Sequence, residues 1–244
     1  MALLRVDALL CSVRTHGEHG AIIRLLTRDA GLLSGYVRGA RSRTMRPVLI
    51  PGNRIAAELR ARTEGQLAGA TVELLESRAP LLDEPLAAAG IEWATVLTAA
   101  TLPEAQPYPR LYDALAAVLD AIAVAPAARG WAGALARYEL LLLAELGFGL
   151  ALEACVATGG QDALAFVSPK SGGAVSRAAA VGLERRLLPL PAFLVHGGEA
   201  ELPDVLAGLR LTGHFVEASL LAGRRDALGE TRARLVERLE RAVA

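Results

Sequence analysis

The chain has 244 residues, 53% hydrophobic and 21% charged, with 26 basic side chains against 26 acidic ones. At a mean hydropathy of +0.36 it is not a disordered chain, because it has ample apolar surface to offset the entropy of ordering the backbone. The most apolar stretch, residues 140–152, is broken by Glu145, Gly147 and Gly149 and falls short of the roughly 20 apolar residues of a membrane span. Arg5 and Asp7 interrupt the segment where a secretory signal would be uncharged. Cys11 and Cys155 form neither a CxxC pair nor a disulfide framework, so a reducing, cytoplasmic location is expected.

From residue 3 to about 77 the sequence reads as short strands punctuated by glycine. The pattern predicts strands over 4–14, 21–27, 32–38, 54–62 and 67–75, with turns at Gly17 and Gly20, at 29–31, at 51–53 and at Gly65. The fourth is the clearest, since Ile55, Ala57, Leu59 and Ala61 alternate with Arg54, Glu58, Arg60 and Arg62. Five short strands in under 80 residues suggest a small barrel of the OB or SH3-like kind. At Ala79-Pro80 the pattern changes to long helices over 85–101, 109–124 and 130–146, the third stopped by glycine at 147. A glycine-rich insertion at 155–176 reads as a small hairpin, with strands over 163–167 and 174–176. Two more helices follow, about 203–221 and 229–243. The expected class is α+β, mostly α: an N-terminal five-stranded barrel over 1–79 and a helical domain over 80–244.

The zero net charge conceals an asymmetry. Residues 1–80 hold twelve arginines against seven acids, a net of +5, so the remainder carries −5. Between Asp29 and Glu58 there is no acid, but there are five arginines, Arg38, Arg41, Arg43, Arg46 and Arg54. An acid-free basic window is an electrostatic footprint for a polyanion, although a solvated loop would carry the same charges.

Motifs for chemistry are missing. Lys170-Ser171 lacks the glycines of a phosphate loop, and no GxSxG, HExxH or GxGxxG occurs. His16-Gly17-Glu18-His19 superficially resembles a metal site, but it sits in a turn with no third or fourth ligand in view. Cys155 reads as a small buried apolar residue, with no histidine near it in sequence. A binding protein is therefore favoured over an enzyme built on Glu92, Glu104 or Asp120. Generic single-strand binders stack bases on several rings, whereas the first 80 residues offer Tyr36 alone among Phe, Trp and Tyr. Affinity should come from phosphate contacts, tolerant of sequence and steeply dependent on salt.

The run Gly17-Glu18-His19-Gly20-Ala21-Ile22-Ile23-Arg24-Leu25-Leu26-Thr27-Arg28-Asp29-Ala30-Gly31, continuing to Val37-Arg38-Gly39-Ala40-Arg41-Ser42, resembles the N-terminal signature of bacterial RecO, a recombination mediator family. Arg137-Tyr138-Glu139-Leu140 through Leu146-Gly147-Phe148-Gly149, followed by Cys155, resembles its central helix. The resemblance implies an OB barrel, a helical C-terminal domain, no catalysis and no cofactor. It also implies binding of single- and double-stranded DNA, strand annealing, association with RecR, and contact with the C-terminal tail of the single-strand-binding protein SSB. It further implies a functional link to RecA and, more remotely, RecF, and a place in the cytoplasm at the nucleoid.

Arg38, Arg41, Arg43 and Arg46 fall on the family's basic segment and inherit a DNA-binding role from the resemblance. Arg54, Arg60 and Arg62 are added from strand alternation. Arg137 and Tyr138, with Arg110 as a weaker choice, are candidates for holding an SSB tail, which needs an apolar pocket and a cation for its carboxylate. Some members carry a four-cysteine zinc site where this sequence keeps Cys155 alone, so no metal is expected. The rival from another class is a protein-only adaptor whose basic barrel meets an acidic protein partner.

Overall fold

A computed structural model of the chain describes residues 2–61, 63, 66–125, 128–222 and 225–241. It divides into two compact units, Met1–Pro126 and Ala127–Ala244. The change from strands to helices at residue 79 and the change of unit at 126 are different places, because the first two helices belong to the unit that holds the barrel.

In the first unit, β1 (Ala2–His16), β2 (Gly20–Thr27), β3 (Gly31–Val37), β4 (Arg54–Ala61) and β5 (Ala68–Glu76) close a barrel in the order β1-β2-β3-β5-β4. This is the OB-like arrangement expected of five alternating strands, with the seam closed by a short parallel pairing of β3 with β5. Alternation sends Ala8, Leu10, Ala21, Ile23, Leu25, Val37, Ile55, Ala57 and Val72 into the interior. These side chains are small or medium aliphatics, and they suffice to fill so narrow a barrel. A register shift between Leu10 and Ser12 places a bulge at Cys11, which re-aims the second half of β1. Burial pushes the Cys11 thiol up to about 12.

Two helices complete this unit. The first, α1 (Pro85–Thr101), and the second, α2 (Pro109–Val124), each begin with proline in the first turn, where its missing N–H costs nothing. The turn after α1 bonds back onto the barrel: the Ala105 N–H donates to the Leu32 carbonyl (2.9 Å).

The second unit contains α3 (Ala128–Glu145), α4 (Ala192–His196), α5 (Leu202–Phe215) and α6 (Arg225–Arg241). Gly147 ends α3: its N–H donates to Ala144 O (3.1 Å) and that of Phe148 to Leu143 O (2.8 Å), a left-handed glycine cap. Helix α5 runs on into a π turn at Val216–Leu220. The insertion forms the expected hairpin, and a further strand beyond it extends the sheet. Strands β6 (Leu164–Val167) and β7 (Ala174–Ser176) are joined by β8 (Leu188–Pro189) into a three-stranded sheet of order β7-β6-β8. A small core of Cys155, Val175 and Ala180, with Leu164, Phe166 and Leu187 against it, holds the sheet by packing.

One buried ion pair joins three helices of this unit. Glu139 of α3 accepts from Arg232 Nε and Nη2 of α6 (3.1 and 3.0 Å) and from the Thr212 hydroxyl of α5. All three side chains are buried.

Candidate nucleic-acid interface

The acid-free window forms the end of β3 and the crossing to β4. After Gly39, in a positive-φ turn at 68°, the chain folds into successive turns. Ser42 accepts the N–H groups of Met45 (3.2 Å) and Arg46 (3.1 Å) at its carbonyl, and Met45 accepts those of Val48 (3.1 Å) and Leu49 (2.9 Å). These turns sort the side chains. Ala40, Val48 and Leu49, with Met45 partly buried, pack onto the barrel core, which leaves Arg38, Arg41, Arg43 and Arg46 exposed.

The segment is fastened by Asn53, which is 0% exposed. Its Nδ2 donates to the carbonyls of Pro47 (2.9 Å) and Val48 (3.0 Å), and its Oδ1 accepts the Arg78 N–H (2.8 Å). The main chain adds a reciprocal clasp to β1, with Leu10 N–H to Asn53 O (2.9 Å) and Gly52 N–H to Leu10 O (2.8 Å).

The structure separates the arginines of this unit into two groups. On the outward face of β1, β4 and β5, cations and carboxylates alternate. Arg5 Nε donates to Glu58 (2.8 Å), Arg60 Nε to the other oxygen of Glu58 (2.7 Å), and Arg54 lies 3.5 Å from Asp7. Arg5 first, and then Arg60, hold the Glu58 carboxyl below the usual carboxylate range. Elsewhere Arg28 makes a two-pronged contact with Asp113 (3.0 and 3.1 Å), Arg24 faces Glu104 (3.6 Å), and Arg78 bridges Glu76 (3.0 Å) and Asp120.

The second group has no carboxylate partner among the described residues: Arg14, Arg38, Arg41, Arg43 and Arg46. Arg46 Nε donates only to the Arg41 carbonyl (3.1 Å). Register puts Arg14 on the same side as Tyr36: Arg14 of β1 pairs with Ile22, and Ile22 with Tyr36, two residues before Arg38 in the turn that follows β3.

Of the residues expected to bind DNA, four therefore stand together with unneutralised charge. Arg54 and Arg60 stand on the other face, each against a carboxylate, and Arg62 lies outside the described residues. Sequence reasoning passed over Arg14, whose outward direction depends on the bulge at Cys11, and Asn53, which reads as an ordinary turn residue.

In the second unit, Arg137 is half-buried on α3. Its Nη1 donates to the Gly198 carbonyl (3.2 Å), and its guanidinium lies 5.8 Å from the Phe193 ring centroid. It borders an apolar groove of about 320 Å³ lined by Leu140, Leu141, Ala144, Leu150, Leu152 and Leu194. Tyr138 points the other way: at 1% exposure it is part of the helical core and has no surface to present to a partner. Arg110 is exposed at the start of α2, in the first unit, and is not among the residues that line this groove. No helix among the described residues is long and apolar enough to cross a membrane.

Comparison with known proteins gives full-length matches. Residues 1–78 match the family model for the N-terminal part of recombination protein O, and residues 83–226 the model for its C-terminal part. The chain is 44% identical over 239 residues to a protein of Caulobacter vibrioides named DNA repair protein RecO, covering 97% of each chain. Proteins of the same name from Cereibacter sphaeroides (44% over 241 residues, 98% of each chain) and Rhodospirillum centenum (44% over 239 residues, 97% of this chain and 94% of the relative) are similar to the same extent.

Proposed function

The chain belongs to the RecO family of DNA repair and recombination proteins, and on that footing we propose that it is a non-enzymatic mediator that holds DNA by its phosphates on the barrel. In this reading it binds single and double strands, anneals complementary strands and, with RecR, helps RecA load onto single-stranded DNA coated with SSB. The observation that carries the reading is the set of five arginines, Arg14, Arg38, Arg41, Arg43 and Arg46, without a carboxylate partner among the described residues, while on the other face of the barrel Arg5 and Arg60 engage Glu58 and Arg54 faces Asp7. Two strands brought to one cationic surface repel each other less and meet at a higher effective concentration, so annealing needs no nucleotide hydrolysis.

The apolar groove beside Arg137 supports the partner side of the reading. A C-terminal tail can seat apolar side chains among Leu140, Leu141 and Leu194 and bring its carboxylate to the guanidinium.

The test is fluorescence anisotropy with labelled single-stranded and duplex oligonucleotides across a salt series. Each phosphate contact contributes about 0.7 to the log–log salt slope for single strands and about 0.9 for duplex. Replacing Arg41, Arg43 and Arg46 together by Glu should weaken binding to every sequence and flatten the slope by about 2 to 3. Replacing Arg54 and Arg60 should change it little. An unchanged slope in the triple variant places the DNA elsewhere.

A further inference from the structure

The outward face of β1–β3 carries one aromatic ring in an unusual setting. Past the Cys11 bulge, the register aligns Arg14, Ile22 and Tyr36 across the three strands, with His16 opposite Gly20 in the next row. Tyr36 leans diagonally over Gly20, so closely that a Cβ there would lie inside the envelope of the ring. Gly20 opens β2, and having no side chain it lets the ring lie down on the sheet. The ring is half-buried, with part of it open to solvent, and His16 meets it edge to face, with centroids 6.0 Å apart and planes at 84°.

The ring is bracketed by charge. Arg14 stands two strands away in the same row and Arg38 just past the end of β3, two residues after Tyr36, both without a carboxylate partner among the described residues. The acid nearest Arg14 in sequence, Glu18, is in the exposed β1–β2 turn, 3.8 Å from His19. At the opposite end of the same face, Glu104 engages Arg24 and Ser34, and the turn after α1 covers the sheet. The open half of the face is therefore an aromatic plate with a cation to either side, neither of them having a carboxylate partner among the described residues.

We propose that Tyr36 is a stacking platform for one unpaired base of a single DNA strand, with Arg14 and Arg38 holding the phosphates on either side. The chemistry favours this ligand over a duplex or an acidic peptide. An unpaired nucleotide has an exposed π face flanked by anions at the spacing of its backbone. In a duplex those faces are already stacked on each other, and only phosphates and groove edges remain for the protein. An acidic peptide has anions but no aromatic face in register with them. The platform adds a preference for unpaired strands to a surface whose phosphate contacts alone would not discriminate. The inference rests on the proposal that the barrel binds DNA, and its test separates the two.

The protein is titrated with an oligothymidine strand and with a strand of equal length whose bases are replaced by abasic tetrahydrofuran, so that the phosphates are the same. Wild-type protein is expected to bind the base-bearing strand about tenfold more tightly. Tyr36→Leu should abolish that preference and Tyr36→Trp should restore it. Equal affinity of wild type for the two strands, or a preference that survives Tyr36→Leu, overturns the platform. If wild type binds neither strand at low salt, the DNA-binding reading itself fails, and the platform with it.

A second measurement needs no variant. Ultraviolet crosslinking of wild-type protein to a strand carrying 5-iodouracil, mapped by mass spectrometry, should label Tyr36. Labelling confined to other residues overturns the proposal.

Discussion

Asn53 ties the basic segment to the barrel, and Asn53→Ala measures how much that clasp contributes. The substitution leaves three main-chain groups without a partner: the Pro47 and Val48 carbonyls and the Arg78 N–H. Pro47 is exposed, so its carbonyl recovers a water at a cost of about 1 kcal/mol. Val48 and Arg78 are buried, and an unsatisfied buried group costs roughly 1–3 kcal/mol. The expected loss is about 4 kcal/mol, a large share of the 5–15 kcal/mol that stabilises an ordinary domain. Asn53→Asp is the sharper variant, since it keeps the shape and the acceptor for the Arg78 N–H but turns a carboxylate oxygen toward two carbonyls. It should be at least as destabilising as alanine. Urea unfolding of the full chain, followed by tryptophan fluorescence, should show the first transition moved down by about 2 M at an ordinary m-value of ~2 kcal/mol/M. A loss under about 1 kcal/mol for alanine, or an aspartate variant as stable as wild type, refutes the argument that these three bonds fasten the segment.

The buried pair in the second unit makes a different prediction: Glu139→Gln should cost about 3–5 kcal/mol by stranding the Arg232 charge, while Glu139→Leu with Arg232→Met together should come closer to wild type. A urea double-mutant cycle decides it, and a double variant as unstable as the single one counts against the pair's being a charge-burial problem. Cys155 gives a pH dependence. The Thr158 hydroxyl, and after it the N–H and hydroxyl of Ser176, lower its thiol from 9.0 to about 6, so the thiolate favours the folded state. That stabilisation is complete above pH 9 and lost as the pH falls through 6. The stability difference between wild type and Cys155→Ala should therefore grow from pH 6 to 9, and a flat difference refutes it. Iodoacetamide should modify Cys155 ahead of Cys11, whose thiol burial pushes up to about 12.

Much of the fold was legible because its elements carry strong local signals. The alternation of Ile55, Ala57 and Leu59 with charged residues fixes β4, and Pro85 and Pro109 mark two helix starts at the positions the structure confirms. The third strand of the small sheet was not legible. Leu188–Pro189 is two residues long and has no period to detect, and it pairs with a strand some twenty residues upstream. The placement of α1 and α2 with the barrel was equally hidden, because composition changes at residue 79 whereas packing follows contacts such as Ala105 to Leu32. At the site, the basic window was visible as charge, but which charges are free was not. Arg54 and Arg60 are as basic in sequence as Arg41 and Arg43; the cross-strand register that brings Asp7 beside Arg54, and the same-face spacing of Glu58 and Arg60 on β4, tell them apart.

That register also explains how a chain of zero net charge can offer a polyanion a surface. Outward residues of β1, β4 and β5 are paired across strands, Arg5 with Glu58 and Asp7 beside Arg54, so their fields cancel within a few ångströms and contribute little beyond a Debye length of about 8–10 Å. The β3–β4 crossing has no partner strand on which a carboxylate could be set opposite, and its turns direct apolar residues inward and arginines outward. A duplex docked on the paired face would have to displace Glu58 to gain Arg5 and Arg60, and Asp7 to gain Arg54. On the crossing it displaces only counterions, whose release favours binding. In the proposed reading, the arginines without a carboxylate partner among the described residues mark the DNA side of the barrel more narrowly than the count of arginines does, and that side includes the half-buried ring of Tyr36.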